Sequence, residues 1–326
     1  MRLPQINPRL RVALQLGASL ALLAFLISRL DWQRSLTLLS GAQPLLLAVV
    51  IAIHTADRLL MALKWHQLVR VLDARLTRWQ AIRIYYESTF IGFALPLGGL
   101  GPDIVRFLRV RNRGFDAHLA LASMVIERLN GVVATLVLIV VGLAVLAQLA
   151  PQPSLQKFAV LSAVLAGIAA AVLAALILLP ALARSLSRGK LASTFASGRF
   201  AKYADAARAY SARRATLAIN LGLSVIEQTA PLFTLWVVSH ALGAPLPWMV
   251  CLAVVPVAVL IQRLPLTYAG LGLREGSAAA LLVALGYDYS AALILFMVLF
   301  VLFFISLLPG ALALAWSAPL SSKQPP

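Results

Sequence analysis

Leu95-Pro96-Leu97-Gly98-Gly99-Leu100-Gly101-Pro102, followed by Asp103-Ile104-Val105-Arg106, and Leu264-Pro265-Leu266-Thr267-Tyr268-Ala269-Gly270-Leu271-Gly272, followed by Leu273-Arg274-Glu275, are the two stretches on which this chain turns. Each interrupts an apolar region, 81–113 in one case and 248–286 in the other, and leaves pieces too short for full spans. Proline removes a backbone donor and glycine loosens the helix, so each stretch breaks the hydrogen-bond ladder. Broken backbone at membrane depth persists only where protein or a watery cavity satisfies it. Both regions are expected to be re-entrant helical hairpins, with two unrelated kinked helices as the plainer alternative.

The stretches also resemble each other. Arg106 and Arg274 each follow the break, and Gly114-Phe115-Asp116 with Ala120-Leu121 matches Gly286-Tyr287-Asp288 with Ala292-Leu293. This predicts an internal repeat, at about 81–149 and 248–316 within a single membrane domain spanning 1–326. Gly/Pro-interrupted segments at matching positions point to a transporter's binding site near the midplane. Pro96, Gly98, Gly99 and Gly101 in the first repeat, and Pro265, Gly270 and Gly272 in the second, are the candidate hinge or loop residues.

Outside the breaks, composition demands lipid. The 326 residues are 61% hydrophobic and 12% charged, against roughly 25% charged in soluble domains. Long apolar runs predict six full spans, at about 12–30, 43–63, 117–149, 156–180, 215–241 and 290–316, each near the roughly 20 residues that cross a bilayer. The basic N-terminus with a long first run is read as a retained span, not a cleaved signal peptide. Arginine and lysine gather at 64–83, 106–113 and 184–214, while 29–43, 150–157, 243–248 and 286–290 are poor in them. The positive-inside rule then puts both termini in the cytoplasm of a bacterial-type inner membrane and opens the two hairpins to opposite sides, so the repeat is inverted. It also accounts for the net charge of +17 without nucleic acid. The stretch 190–214, with Leu191, Phe195, Tyr203, Ala207 and Tyr210 among basic residues, suits a helix on the anionic cytoplasmic leaflet or a solvated connector.

Charges inside such a protein need a partner or a wet cavity. Asp103 and Arg106 lie one helical turn apart after the first break, and Arg274 and Glu275 stand after the second. A half-helix N-terminus there suits an anion. Glu127-Arg128 lies early in the third span, Asp57-Arg58 with His54 a turn earlier lies late in the second, and Arg263 precedes the second break. Intramembrane ion pairing is the structural reading of any one of them. Glu227 stands alone in its span and is a candidate proton carrier, with a hydrogen bond to a neighbouring helix as the alternative. No P-loop is present, the four histidines lack metal-ligand spacing, and Cys251 is the lone cysteine. No cofactor is expected.

The series Pro96…Gly98-Gly99-Leu100-Gly101-Pro102-Asp103-Ile104-Val105-Arg106, then Glu127-Arg128-Leu129-Asn130-Gly131, then Pro265…Ala269-Gly270-Leu271-Gly272-Leu273-Arg274-Glu275 resembles the flippase-like family typified by the transmembrane region of lysylphosphatidylglycerol synthase. Pro102 before Asp103, and Ala269 in place of a first glycine, depart from that pattern. The resemblance implies a membrane domain that moves lipids or lipid-linked headgroups between leaflets. In aminoacyl-lipid members a cytoplasmic domain makes the lipid; with the chain ending at Pro326, soon after its last span, that domain is not expected here.

The expectation is therefore an all-α polytopic membrane protein, six full spans plus two re-entrant helical hairpins in an inverted repeat, acting as a translocase and not as an enzyme. Its substrate would be a membrane phospholipid or polyisoprenoid-linked lipid, with Asp103, Arg106, Glu127, Arg128, Arg263, Arg274 and Glu275 as substrate-binding residues. Two other classes stand beside it: an intramembrane lipid-modifying transferase using the same carboxylates, and a non-catalytic membrane partner of a cytoplasmic lipid synthase or glycosyltransferase.

Overall fold

The computed structural model of the chain describes residues 8–72, 75–95, 101–149, 209–210, 212–262 and 267–315. Among the described residues every regular element is helical. Helix α1 (Pro8–Ser28) is followed, after a 91° bend, by the short α2 (Trp32–Ser40), whose start is capped by Asp31 accepting from the Arg34 N–H at 3.1 Å. Helix α3 (Pro44–Leu72) opens on a proline, which suits a first turn because its missing N–H had no partner there. Among the described residues four helices are long and apolar enough to cross a membrane: Pro44–Leu72, Leu119–Val145, Arg214–Ala241 and Tyr289–Ala315. They fall on the expected spans at 43–63, 117–149, 215–241 and 290–316. The expected span at 12–30 falls on α1, which counts as a fifth crossing only together with α2. The one at 156–180 lies outside the described residues, as does most of 184–214.

The first broken region is a hairpin of α4 (Arg78–Ala94) and α5 (Gly101–Arg111). Thr77 and Gln80 form a reciprocal capping box at the start of α4. The helix ends at Leu95, which is extended (φ −86°, ψ 138°) as the residue before a proline must be. A Cβ on Gly92 would collide with the Gly101–Pro102 backbone, so the arms touch at a point where only glycine fits. Helix α6 (Ala117–Leu149) follows. After α7 (Arg214–Ala241), the second region forms the matching hairpin: α8 (Trp248–Gln262), a single 3-10 turn at Tyr268–Gly270, and α9 (Leu273–Ala284). The chain closes on α10 (Tyr289–Ser306) and α11 (Leu308–Ala315).

The halves share local detail. Gly114 (φ 76°) and Gly286 (φ 88°) take the same left-handed turn, and two residues later Asp116 and Asp288 cap the next helix by accepting from Leu119 N and Ala291 N. Packing crosses over as well: α8 lies against α6, and α11 lies against α4. At these crossings Gly142 meets the Leu252 carbonyl and Gly310 meets the Tyr86 carbonyl so closely that a Cβ would collide with either. Helices in lipid associate through such close backbone contact, since burying apolar surface gains little there. The outer faces remain apolar and exposed, as with Leu45, Ile226, Phe233 and Val301, which fits hydrocarbon as their solvent. The chain is a multi-pass membrane protein.

Candidate functional site

The charged side chains sort into three groups. In the first, Arg106 on α5 is 3% exposed, and its Nη2 lies 2.8 Å from both Asp103 Oδ1 and Glu127 Oε2. Its guanidinium lies 4.9 Å from the ring centres of both Trp65 and Tyr85. Asp103 also accepts from Arg128. Four predicted residues, Asp103, Arg106, Glu127 and Arg128, thus converge where α5 meets α3, α4 and α6. Two carboxylates and two aromatic faces hold Arg106, which makes it a brace for the first hairpin.

The second group links long helices. Lys64 of α3, 1% exposed, pairs with Glu227 of α7, which also accepts from Gln228 Nε2 at 3.0 Å. Thr135 of α6 donates to Gln228 at 3.0 Å, and Asn130 Nδ2 donates to Asn220 Oδ1 at 2.9 Å. The isolation of Glu227 along the sequence does not persist in space. Lys64, expected in a cytoplasmic basic loop, instead lies buried within α3, because the helix continues to Leu72. Tyr210, expected on the leaflet surface or in a solvated connector, is buried and donates to the Leu68 carbonyl at 3.1 Å.

The third group surrounds a cavity of about 260 Å³. Its polar wall includes His54, Asp57 and Arg58 of α3, Glu227 of α7, and Arg274 and Glu275 of α9. Its apolar wall includes Phe93, Phe296, Phe300 and Phe303. Glu275 is positioned by the second break: with Gly272 at φ 83°, the Gly272 N–H turns toward Glu275 Oε2 at 2.8 Å. Glu275 Oε1 in turn accepts from Arg274 Nε and Nη2 at 3.0 and 2.7 Å. Gly270, also left-handed (φ 77°), packs against Gln262, which closes the turn. The second break reaches the first, because the Tyr268 hydroxyl donates to the Phe93 carbonyl at the end of α4 at 3.4 Å.

His54, Asp57 and Arg58 share one face of α3 at i, i+3 and i+4. Asp57 Oδ2 faces Arg58 Nη2 at 3.7 Å, while Arg58 sits over Phe303 at 5.2 Å. His54 Nε2, Asp57 Oδ1 and Arg58 Nε are buried with no hydrogen-bond partner among the described residues. Buried polar atoms are normally satisfied; Arg106 Nε and Nη1 in the brace are orphaned likewise, so it is the cavity beside the α3 orphans that points to a polar ligand there. Asp57, Arg58 and His54 were visible in the sequence as charges late in a span, but nothing there set them apart from structural ion pairs. Lys64 gave no signal beyond its basic neighbours.

The predicted site therefore divides. Arg274, Glu275 and Glu227 face the cavity, while Asp103, Arg106, Glu127 and Arg128 form a separate brace outside its lining. Gly101 is the first residue of α5, and Gly270 and Gly272 shape the second break. Arg263, Pro96, Gly98, Gly99 and Pro265 lie outside the described residues.

None of the curated proteins matches this chain. The profile described as the lysylphosphatidylglycerol synthase TM region matches residues 12–314, which takes in both hairpins, the brace and the cavity. By that match over nearly its whole length, the chain belongs to the family of the lysylphosphatidylglycerol synthase transmembrane region.

Proposed function

We propose that the protein translocates a lipid or lipid-linked headgroup between the leaflets of a bacterial-type inner membrane, with both termini cytoplasmic. The two hairpins are re-entrant and form an inverted repeat, and their rocking gives each side access in turn. The observation that carries this reading is the cavity: polar side chains with unpartnered atoms sit opposite phenylalanines inside a helical bundle. A headgroup would occupy the polar wall while its tails stay in hydrocarbon. The shared turns at Gly114 and Gly286, and the glycine crossings at Gly142 and Gly310, support the repeat. Arg274 would bind an anionic group, because Glu275 holds its Nε and Nη2 and leaves Nη1 available. Arg106, Asp103, Glu127 and Arg128 would serve the same movement by bracing the first hairpin.

The test is reconstitution into vesicles carrying lipid labelled with nitrobenzoxadiazole on an acyl chain, with dithionite added outside. Translocation exposes inner-leaflet label, so quenching exceeds that of protein-free vesicles. Quenching equal to those vesicles rejects the proposal. A change in lipid mass without leaflet exchange favours the transferase class instead.

A further inference from the structure

The described polar groups of the cavity balance. Arg58 and Arg274 on its wall, with Lys64 behind Glu227, give three cations, and Asp57, Glu227 and Glu275 give three carboxylates. A ligand entering a balanced site between packed helices should itself be balanced, because an added net charge would have no matching counter-ion among the described groups. The orphaned atoms are of both kinds. Arg58 Nε can only donate, and Asp57 Oδ1 can only accept while ionised. Arg274, on the opposite wall, has donors beyond the two that Glu275 takes. Asp57 is nine-tenths buried, and it is too far from Arg58, at 3.7 Å, for a direct hydrogen bond. The cavity thus offers an anion two guanidinium groups, Arg58 from one side and Arg274 from the other, and beside Arg58 an unused carboxylate oxygen waits for a donor.

Size admits the class. About 260 Å³ corresponds to roughly nine waters at their liquid volume, and lies just below the roughly 300–1,000 Å³ of pockets that enclose a drug-sized ligand. Phosphoethanolamine, with about eight non-hydrogen atoms, enters such a space with room to spare.

Building on the translocation reading, we infer that this cavity is a site for a small headgroup of no net charge carrying a phosphate and an ammonium together, as in phosphatidylethanolamine. Arg274 and Arg58 take the phosphate, and Asp57 takes the ammonium. The phenylalanines Phe300 and Phe303, over which these arginines already lie at 5.9 and 5.2 Å, exclude water from the pair.

The experiment uses the full chain in vesicles with acyl-labelled phosphatidylethanolamine or phosphatidylglycerol, and dithionite. The ethanolamine lipid is expected to move at least about tenfold faster, since the glycerol lipid brings an unbalanced charge. Asp57→Asn leaves the described site with one net positive charge, so the preference should invert toward phosphatidylglycerol. Equal rates, or faster phosphatidylglycerol movement by the unaltered protein, overturn the headgroup assignment while leaving translocation standing. Movement of neither lipid above protein-free vesicles overturns translocation, and the assignment with it. If Asp57→Asn does not accumulate, thermal shifts of the unaltered protein decide: dihexanoyl-phosphatidylethanolamine should stabilise it and the phosphatidylglycerol counterpart should not. Equal shifts refute the assignment. Soluble glycerophosphoethanolamine added at the same concentration separates the sources, and a shift as large as the lipid's refutes a lipid ligand.

Discussion

Replacing Arg106 by glutamine should cripple the protein through folding, and more so than the same change at Arg274. Arg106 is the partner holding Glu127, which is 8% exposed, and Asp103 retains Arg128 after the change. Glu127 would be left as a buried unpaired carboxylate, and breaking one side of such a pair costs about 3–5 kcal/mol. Loss of the cation's contacts with the Trp65 and Tyr85 rings adds on the order of 1–2 kcal/mol for a desolvated cation. For a chain of this size the combined effect is a fall on the order of 10 °C in apparent melting temperature. The assay is thermal unfolding in detergent, read by loss of the monodisperse peak in size-exclusion chromatography. The double variant Arg106→Gln with Glu127→Gln should recover most of the loss, because the orphaned charge goes with its partner and the two sites couple. Arg274→Gln should melt between Arg106→Gln and the unaltered protein and fail in leaflet exchange, since Glu275, 3% exposed, loses Arg274 but keeps the Gly272 N–H, and Arg274 has one side toward the cavity with its side chain 21% exposed. If Arg106→Gln melts within about 2 °C of the unaltered protein, or the double variant melts no higher than the single, the brace is not what the geometry implies.

Leucine at Gly142 or Gly310 should abolish accumulation, measured in membrane fractions, because each side chain would drive into a neighbouring carbonyl, while alanine at Gly131, with open space around it, should be tolerated. Lys64→Met should destabilise by about 3–5 kcal/mol, and Lys64→Met with Glu227→Leu should restore melting; transport lost in that stable double variant would assign Glu227 a part in movement beyond packing. Cysteine at Leu271, in a Cys251→Ser background, should react with a small aqueous thiol reagent, because Leu271 lines the cavity. Complete protection would mean the cavity is dry. Fusion reporters at either end should report the cytoplasm, and an external signal would reverse the assigned orientation.

Helix and membrane character were legible along the chain because both depend on short-range chemistry. The apolar run that became α6 was bounded correctly at 117–149, since Asp116 caps its start and the run itself needs lipid. Leu95 ends α4 because Pro96 follows, and Gly114 and Gly286 turn left-handed because glycine can; each is a one-residue rule. The hairpins, their breaks, and the charges beside them followed from the same local reasoning. What tertiary packing alone decided is which charge meets which. Arg106 and Arg274 occupy matching places in sequence, yet one is clamped by Glu127 from another helix and the other borders a cavity. Lys64 and Glu227 are 163 residues apart, and no spacing rule couples positions that distant. Whether an intramembrane charge is a brace or a binding group depends on what the neighbouring helices bring within hydrogen-bond reach. That is a property of helix crossings such as Gly142 on Leu252, not of the residues themselves.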